Sequence, residues 1–389
     1  MNHTEQFRAR TAVECLRAGV PNAVAVELLG TGQPRIGTAF DQLLRQVDDG
    51  GTAAMSVGGG FGAGKSHLLT GLRDVALRTG HVVSTVVVSK ETPLWDPVKV
   101  AKTALTSASA RTRRGPVLEE LAAGLDPEGQ RYRDLLGWAE SGESSLDARF
   151  PASLRLHAEA SARGEDTAGA IERFWSGDQL PATELNRGLR AHGLGRTRFE
   201  RVPPAELARQ RLRFAHRLMT LSGYQGWVVL FDEVELVGRY SPLQRFRAYS
   251  EIGRWHLGLD RMTSIGSVWA ITEDFGAAVL DGKGDRAELA RRVKEQGREA
   301  ASQAATGMAA LDRDVLLLDR PDGTALGRAY RRIRDLHGLA YDWTPPDVPG
   351  LPSGSTHQFR QHVRGWINEW DLVRLDPGYR PRTVLNDLW

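Results

Sequence analysis

The chain has 389 residues, 41% apolar and 25% charged, which excludes general disorder and leaves length for more than one structural unit. A formal charge of +3 and a pI near 9.1 are mildly basic and do not by themselves establish a nucleic-acid partner. The single cysteine, Cys15, excludes an intrachain disulfide, and no secretory segment or long apolar span is visible, so the expectation is a cytoplasmic protein without a membrane partner.

In chain order, the first fifty residues read as helices. Ile36, Phe40, Leu43, Leu44 and Val47 recur on one helical face. Gly19-Val20-Pro21-Asn22 breaks the helix before, and the stretch from Gly30 to Pro34 breaks the next. Two short helices and a turn admit a DNA-reading pair, but a helical collar beside the main site is the preferred reading. Cys15 is expected to be a small packed residue.

Strands and helices then alternate. Thr52–Val57 is a short apolar strand running into glycines, and Ser66–Arg78 is a helix. His81–Ser89 is β-branched and reads as a buried strand. Trp227–Phe231, Ile265–Thr272 and the weaker Val315–Leu318 follow. This order predicts an α/β fold with a five-stranded parallel sheet flanked by helices.

The stretch from Leu94 to Tyr224 is too long for one crossover helix. It reads as helices around Pro97–Ser107, Val117–Ala123, Tyr132–Glu140, Ala152–Ala162, Ala168–Trp175 and Pro204–Thr220. Residues of about 95–205 are expected to form a helical insertion. It carries two basic clusters, Arg111 to Arg114 and Arg187 to Arg201, which fit nucleic acid, solvated faces or partner contacts. From Leu326, two helical patterns flank a Pro/Gly-rich linker, Thr344 to Gly354, and Trp366 and Trp370 are expected to pack. The expected units are 1–50, 51–325 and 326–389.

The strongest motif is Gly59-Gly60-Phe61-Gly62-Ala63-Gly64-Lys65-Ser66, a G-x-x-x-x-G-K-S loop between a strand and a helix. Its glycines let successive N–H groups nest around phosphates, and the following helix adds its N-terminal dipole. Lys65 is expected on the β- and γ-phosphates of ATP and Ser66 on Mg²⁺. His67, next in sequence, is included with the loop and is expected mainly to pack. Trp227-Val-Val-Leu-Phe-Asp232-Glu233 ends a strand in two carboxylates, at the edge where open α/β sheets bind ligands. Asp232 is expected to hold Mg²⁺ and Glu233 to activate water. Glu235 is expected to make a polar contact. Thr272 ends the following strand, where additional-strand ATPases keep a polar residue that senses the γ-phosphate. Arg239, Arg254, Arg286, Arg291 and Arg292 are candidates for a trans-acting arginine.

Further segments carry a resemblance. Arg17-Ala-Gly-Val-Pro-Asn22, Phe61 to Leu68, Ser89-Lys-Glu-Thr-Pro-Leu94, Phe231-Asp-Glu-Val-Glu235 and Val363-Arg-Gly-Trp-Ile-Asn-Glu-Trp-Asp371 together resemble the BrxD family, ATP-binding proteins of bacteriophage-exclusion (BREX) defence systems. The resemblance implies an AAA+-like ATPase, related in outline to replication-initiator ATPases, acting in phage defence. The intact pair of Lys65 and Glu233 points to hydrolysis of ATP with Mg²⁺ to remodel or load a partner on DNA, and the expected partners are a self-oligomer, other defence-system proteins and double-stranded DNA. The resemblance supports Lys65, Ser66, Asp232 and Glu233 in the roles above and puts Ser89-Lys90-Glu91 where polar residues can gate the catalytic glutamate. For a second sensor arginine it leaves only Arg380 and Arg382. The alternatives are a nucleotide-gated switch or scaffold with little hydrolysis, and an ATP-regulated nucleic-acid-binding module.

Overall fold

The structure, a computed structural model, describes residues 3–111, 116–259, 262–313, 315–348, 359–376 and 378–381. Arg113, Arg114, Arg382, the Arg292 side chain and residues 349–354 of the expected linker lie outside the described residues.

Three helices open the chain: α1 (His3–Ala18), α2 (Ala23–Leu29) and α3 (Pro34–Asp48). Asn22 starts α2, its side-chain oxygen accepting the N–H groups of Val24 at 2.9 Å and Ala25 at 3.1 Å. Pro34 starts α3, where its missing N–H costs nothing. All five residues of the expected apolar face of α3 are buried.

β1 (Thr52–Gly58), α4 (Lys65–Arg78) and β2 (Val82–Val87) follow. Then come α5 (Pro97–Thr106), α6 (Val117–Ala123), α7 (Gln130–Glu140), α8 (Arg149–Ala162), α9 (Asp166–Trp175), α10 (Ala182–Ala191) and α11 (Pro204–Leu221). The sequence reading had no counterpart for α10. Leu185 and Leu189, at i, i+4, are its two buried residues and make a narrow one-sided stripe in a segment otherwise dominated by charged and small residues.

β3 (Trp227–Asp232), α12 (Pro242–His256), β4 (Ile265–Ile271), α13 (Asp285–Gln296), α14 (Arg298–Ala310) and β5 (Leu316–Leu317) complete the sheet region. α15 (Gly323–Tyr341) and α16 (Phe359–Leu375) close the chain.

The five strands are all parallel, in the order β2-β3-β4-β1-β5. β4 thus stands between β1 and β3, pairing Thr52 with Ile265 and Ile265 with Trp227. This is the additional-strand arrangement of a P-loop NTPase-like α/β fold, and it brings Gly58, Asp232 and Ile271 to one edge.

Two cores clothe the sheet. On one face α3 and α4 cover Val57, Val83, Val228, Leu230 and Val268. Gly266 permits this: a Cβ there would lie 2.8 Å from Leu43. On the other face Phe231 stacks on Trp269 with ring centroids 3.8 Å apart. The same continuous core takes in α5 to α12, including Phe150, Phe174, Trp175 and Phe214. The helical insertion therefore shares its core with the sheet.

A third core joins the two ends of the chain. Ala9, Ala12, Val13 and Ala25 pack with Ile333, Leu336, Trp366, Ile367 and Trp370. Trp366 and Trp370 pack as expected, and emptying a site such as that of the fully buried Trp370 costs about 3–5 kcal/mol. The first fifty residues are thus divided: α1 and α2 belong with α15 and α16, and α3 belongs with the sheet.

Candidate nucleotide-binding site

The loop from Gly59 to Gly64 turns the chain from β1 into α4. Gly62 has φ +73° and Gly64 φ +106°, a left-handed region that side chains avoid. Gly58 is also constrained, since a Cβ there would lie 2.8 Å from Val315 and 2.9 Å from Leu317 of the neighbouring strand region. These conformations aim backbone N–H groups inward at the start of α4, an arrangement suited to anions.

Lys65, the first residue of α4, is buried. Its Nζ donates to Gly59 O at 3.0 Å and to Gly60 O at 3.5 Å, and it lies 3.4 Å from Glu235 Oε1. Ser66 follows it into the helix. Across the sheet edge Asp232 ends β3, with Oδ1 accepting the Glu233 N–H at 2.9 Å. Its Oδ2 has no hydrogen bond among the described residues.

Glu233 has φ +59° and ψ +31°, a left-handed conformation unusual for this residue type. Such backbone strain collects where a side chain must be aimed. Burial holds the Glu233 carboxyl above its ordinary range, and the negative Glu235 and Asp232 push the same way, against Lys65 and Arg360. Glu235 sits on the short helical turn Val234–Arg239 and is mostly buried, and its Oε2 has no hydrogen-bond partner.

A cavity of about 520 Å³ opens beside this cluster. Phe61, Gly62, Ala63, Gly64, Lys65, Ser66, His67, Glu233 and Glu235 line it. Gly59 and Gly60 hold Lys65 from just outside the lining. Asp232 and Thr272 do not line the cavity, although Thr272 follows β4 between the other two functional strands. His67 Nε2 donates to Gly30 O at 2.9 Å, and burial lowers its pKa, so it joins α4 to the turn after α2 as a neutral ring.

The opposite wall comes from the two ends of the chain: Leu16, Gly19, Val20, Pro21, Leu29 and Gly30 with Phe359 and Val363. Arg320, Arg328, Arg332 and Arg360 line it too. Arg332 donates to Leu29 O at 3.0 Å and Arg360 to Gly19 O at 2.5 Å, so two arginines hold carbonyls at the end of α2 and in the turn before it. Arg320 lies 3.5 Å from Glu273. The sequence reading missed these four arginines. The i, i+4 spacing of Arg328 and Arg332 on a helix following β5 was the available signal. Arg380 is exposed and away from the cavity.

None of Arg239, Arg254, Arg286 and Arg291 lines the cavity. Arg286 pairs with Asp281 and Asp312, and Arg291 with Glu288 and Glu295. Ser89 forms a turn, its Oγ accepting the N–H groups of Glu91 at 3.2 Å and Thr92 at 3.1 Å. Among the described residues no group of three or more His, Cys, Asp or Glu could hold a metal by itself.

The two segments at opposite ends of the sequence that carried the resemblance meet here. Arg17 pairs with Asp371, and Asp371 accepts from the buried His337 at 3.2 Å.

Residues 5–115 match the family model of the BREX system ATP-binding protein BrxC/D, a description that takes BrxC and BrxD together. No curated protein and no solved structure matches the chain. No described helix is long and apolar enough to cross a membrane. The matched stretch holds α1 to α5, the glycine loop and β2, and over it the chain is similar to the BREX BrxC/D family.

Proposed function

We propose that the chain binds ATP in this cavity, hydrolyses it, and uses the cycle in phage defence to remodel or load partner proteins on DNA. The observation that carries this reading is the meeting of the Lys65–Ser66 loop with Glu233 and Glu235, just past the end of β3, at one wall of the cavity. Support for ATP comes from the family description as well as from the glycine loop.

In this reading the loop N–H groups and Lys65 bind the β- and γ-phosphates. Arg328, Arg332 and Arg360 supply positive charge from the opposite wall. The base and ribose fit the apolar side lined by Val20, Pro21, Phe359 and Val363. Ser66 and Asp232 suit Mg²⁺, which takes few protein ligands and keeps waters; their hydroxyl and carboxylate oxygens are the donors it prefers. Bound there, Mg²⁺ would neutralise charge on the phosphates. Glu233 orients and deprotonates the attacking water, its raised pKa making it a stronger base. Thr272 would sense the γ-phosphate only after a local rearrangement.

The test is ATP turnover by the purified chain, with and without double-stranded DNA, across a protein concentration series. Lys65→Ala should abolish ATP binding. Glu233→Gln should retain binding and slow turnover by about 10²–10⁴-fold, the usual worth of a general base. Unchanged turnover in Glu233→Gln would refute the catalytic assignment. Tight ATP binding with negligible turnover under every condition would replace the ATPase reading with that of a nucleotide-gated switch.

A further inference from the structure

The basic segment around α10 is left unused by the nucleotide site. Residues 182–201 hold five arginines, Arg187, Arg190, Arg196, Arg198 and Arg201, against Glu184 and Glu200. Five against two is a net +3, equal to the formal charge of the whole chain, so the remaining residues sum to zero. All five arginines are exposed, and none has an ion pair or side-chain hydrogen bond among the described residues. Nearby, Arg149 pairs with Asp147 and Arg163 with Glu159, while Arg131 and Arg173 are, like these five, exposed and without an ion pair among the described residues; what sets the five apart is their density on one short segment.

The segment that presents them is held in place. Asn186 and Thr197 exchange two hydrogen bonds, Nδ2 to Thr197 O at 3.0 Å and Thr197 N to Oδ1 at 2.9 Å. Arg149 donates to Glu200 O at 2.9 Å and lies over the Phe199 ring. Leu194 and Phe199 pack against the main core. A braced loop between two exposed helix arginines and three exposed loop arginines has already lost much of the conformational entropy that binding would otherwise remove.

We infer that the ridge formed by α10 and the loop to Arg201 binds the phosphate backbone of double-stranded DNA. Guanidinium forks match phosphate oxygens, and five unpaired ones on a braced segment form an electrostatic footprint. The inference rests on the proposal that the chain works on DNA and names the surface that does so.

The experiment measures binding of a fluorescein-labelled duplex of about 30 base pairs by anisotropy, for the full chain and for Arg196→Ala/Arg198→Ala, from 50 to 200 mM salt. Five phosphate contacts give a log–log salt slope near −4.5, about a 500-fold loss across that range, and losing two brings it to about −2.7 and a 40-fold loss. ATP affinity should be the same in both proteins, since neither arginine lines the nucleotide cavity. A wild type that binds while the variant keeps the same slope overturns the ridge and leaves the DNA reading standing. No duplex binding at 50 mM salt overturns both. Displacement of the duplex by a polyglutamate peptide at equal charge concentration overturns the DNA assignment in favour of an acidic protein partner.

Discussion

Asp371→Asn tests whether helices from the two ends of the chain form one cooperative unit. Asp371 accepts from Arg17 and from His337 Nε2. Trp343 donates to His337 Nδ1 at 3.0 Å, which puts the ring proton on Nε2, facing Asp371. An amide offers only one acceptor oxygen, so either Arg17 or His337 meets an N–H group. A hydrogen bond to a charged group contributes about 1.5–3 kcal/mol. Arg17 is 32% exposed, which discounts its share and leaves a cost of about 2 kcal/mol. That equals roughly a 30-fold rise in opening. Native-state hydrogen exchange should show this acceleration in peptides from α1, α15 and α16, and none in β1, β3 or β4. Equal acceleration in the sheet, or none anywhere, would refute the separate unit. The pH dependence follows. Burial alone would raise the Asp371 pKa, but the His337 hydrogen bond and the Arg17 charge hold it below its ordinary range. Its stabilisation is present above the unfolded aspartate value and is lost as pH falls through the lowered folded one. The difference between wild type and variant should therefore disappear only in strong acid.

Gly253→Ala should block folding, because its Cβ would lie 1.9 Å from Gln303 O where α12 crosses α14; the cost should exceed about 3 kcal/mol, read as lost soluble yield or a lowered melting temperature. Glu235→Gln should move the acid limb of the pH–turnover profile downward. Burial first, then Glu235 and Asp232, raise the Glu233 pKa, and a base must be ionised to act, so removing one negative neighbour extends activity to lower pH. Arg332→Ala should weaken binding of a fluorescent ATP analogue about 10- to 100-fold, the worth of one charge-assisted contact, and an unchanged Kd would remove Arg332 from the phosphate wall.

β3 and β4 were legible because they are apolar and buried along their whole length, β1 and β2 less cleanly, and β5, with Leu317 exposed, least. The loop from Gly59 to Ser66 was legible because phosphate chemistry demands glycines and a lysine at set spacing. The arginine wall was not, because the i, i+4 spacing of Arg328 and Arg332 is shared by arginines on solvated helix faces, and Arg360 carries no such mark. Only the fold carries them to the cavity. α10 did carry a signal, Leu185 and Leu189 at i, i+4 on one face, but its arginines drew the segment into a basic cluster instead of a helix. The division of the first fifty residues was equally hidden. α2 and α3 are both short and partly apolar, and what separates them is which core each joins.

The distant pairing of Arg17 with Asp371 gives a reason for the composition of the cavity. The wall opposite the glycine loop is built by α1, α2, α15 and α16, which share a core separate from both cores of the sheet. The chain passes between this unit and the sheet through the turn before Pro34 and again through the segment from Asp319 to Asp322. The two crossings are bonded to each other, Gln33 donating to Asp319 O at 3.0 Å and accepting from Asp319 N at 2.8 Å. Residues of both crossings line the cavity. A ligand that touches the glycine loop on one side and Arg332 and Arg360 on the other contacts two units joined at the bonded crossings and by the His67–Gly30 hydrogen bond. Its binding energy then depends on their relative position, and by linkage their relative position depends on it. Arg332 and Arg360 already hold carbonyls at the end of α2 and in the turn before it, so competition between those carbonyls and phosphate oxygens for the same guanidinium groups is a direct physical route for that coupling.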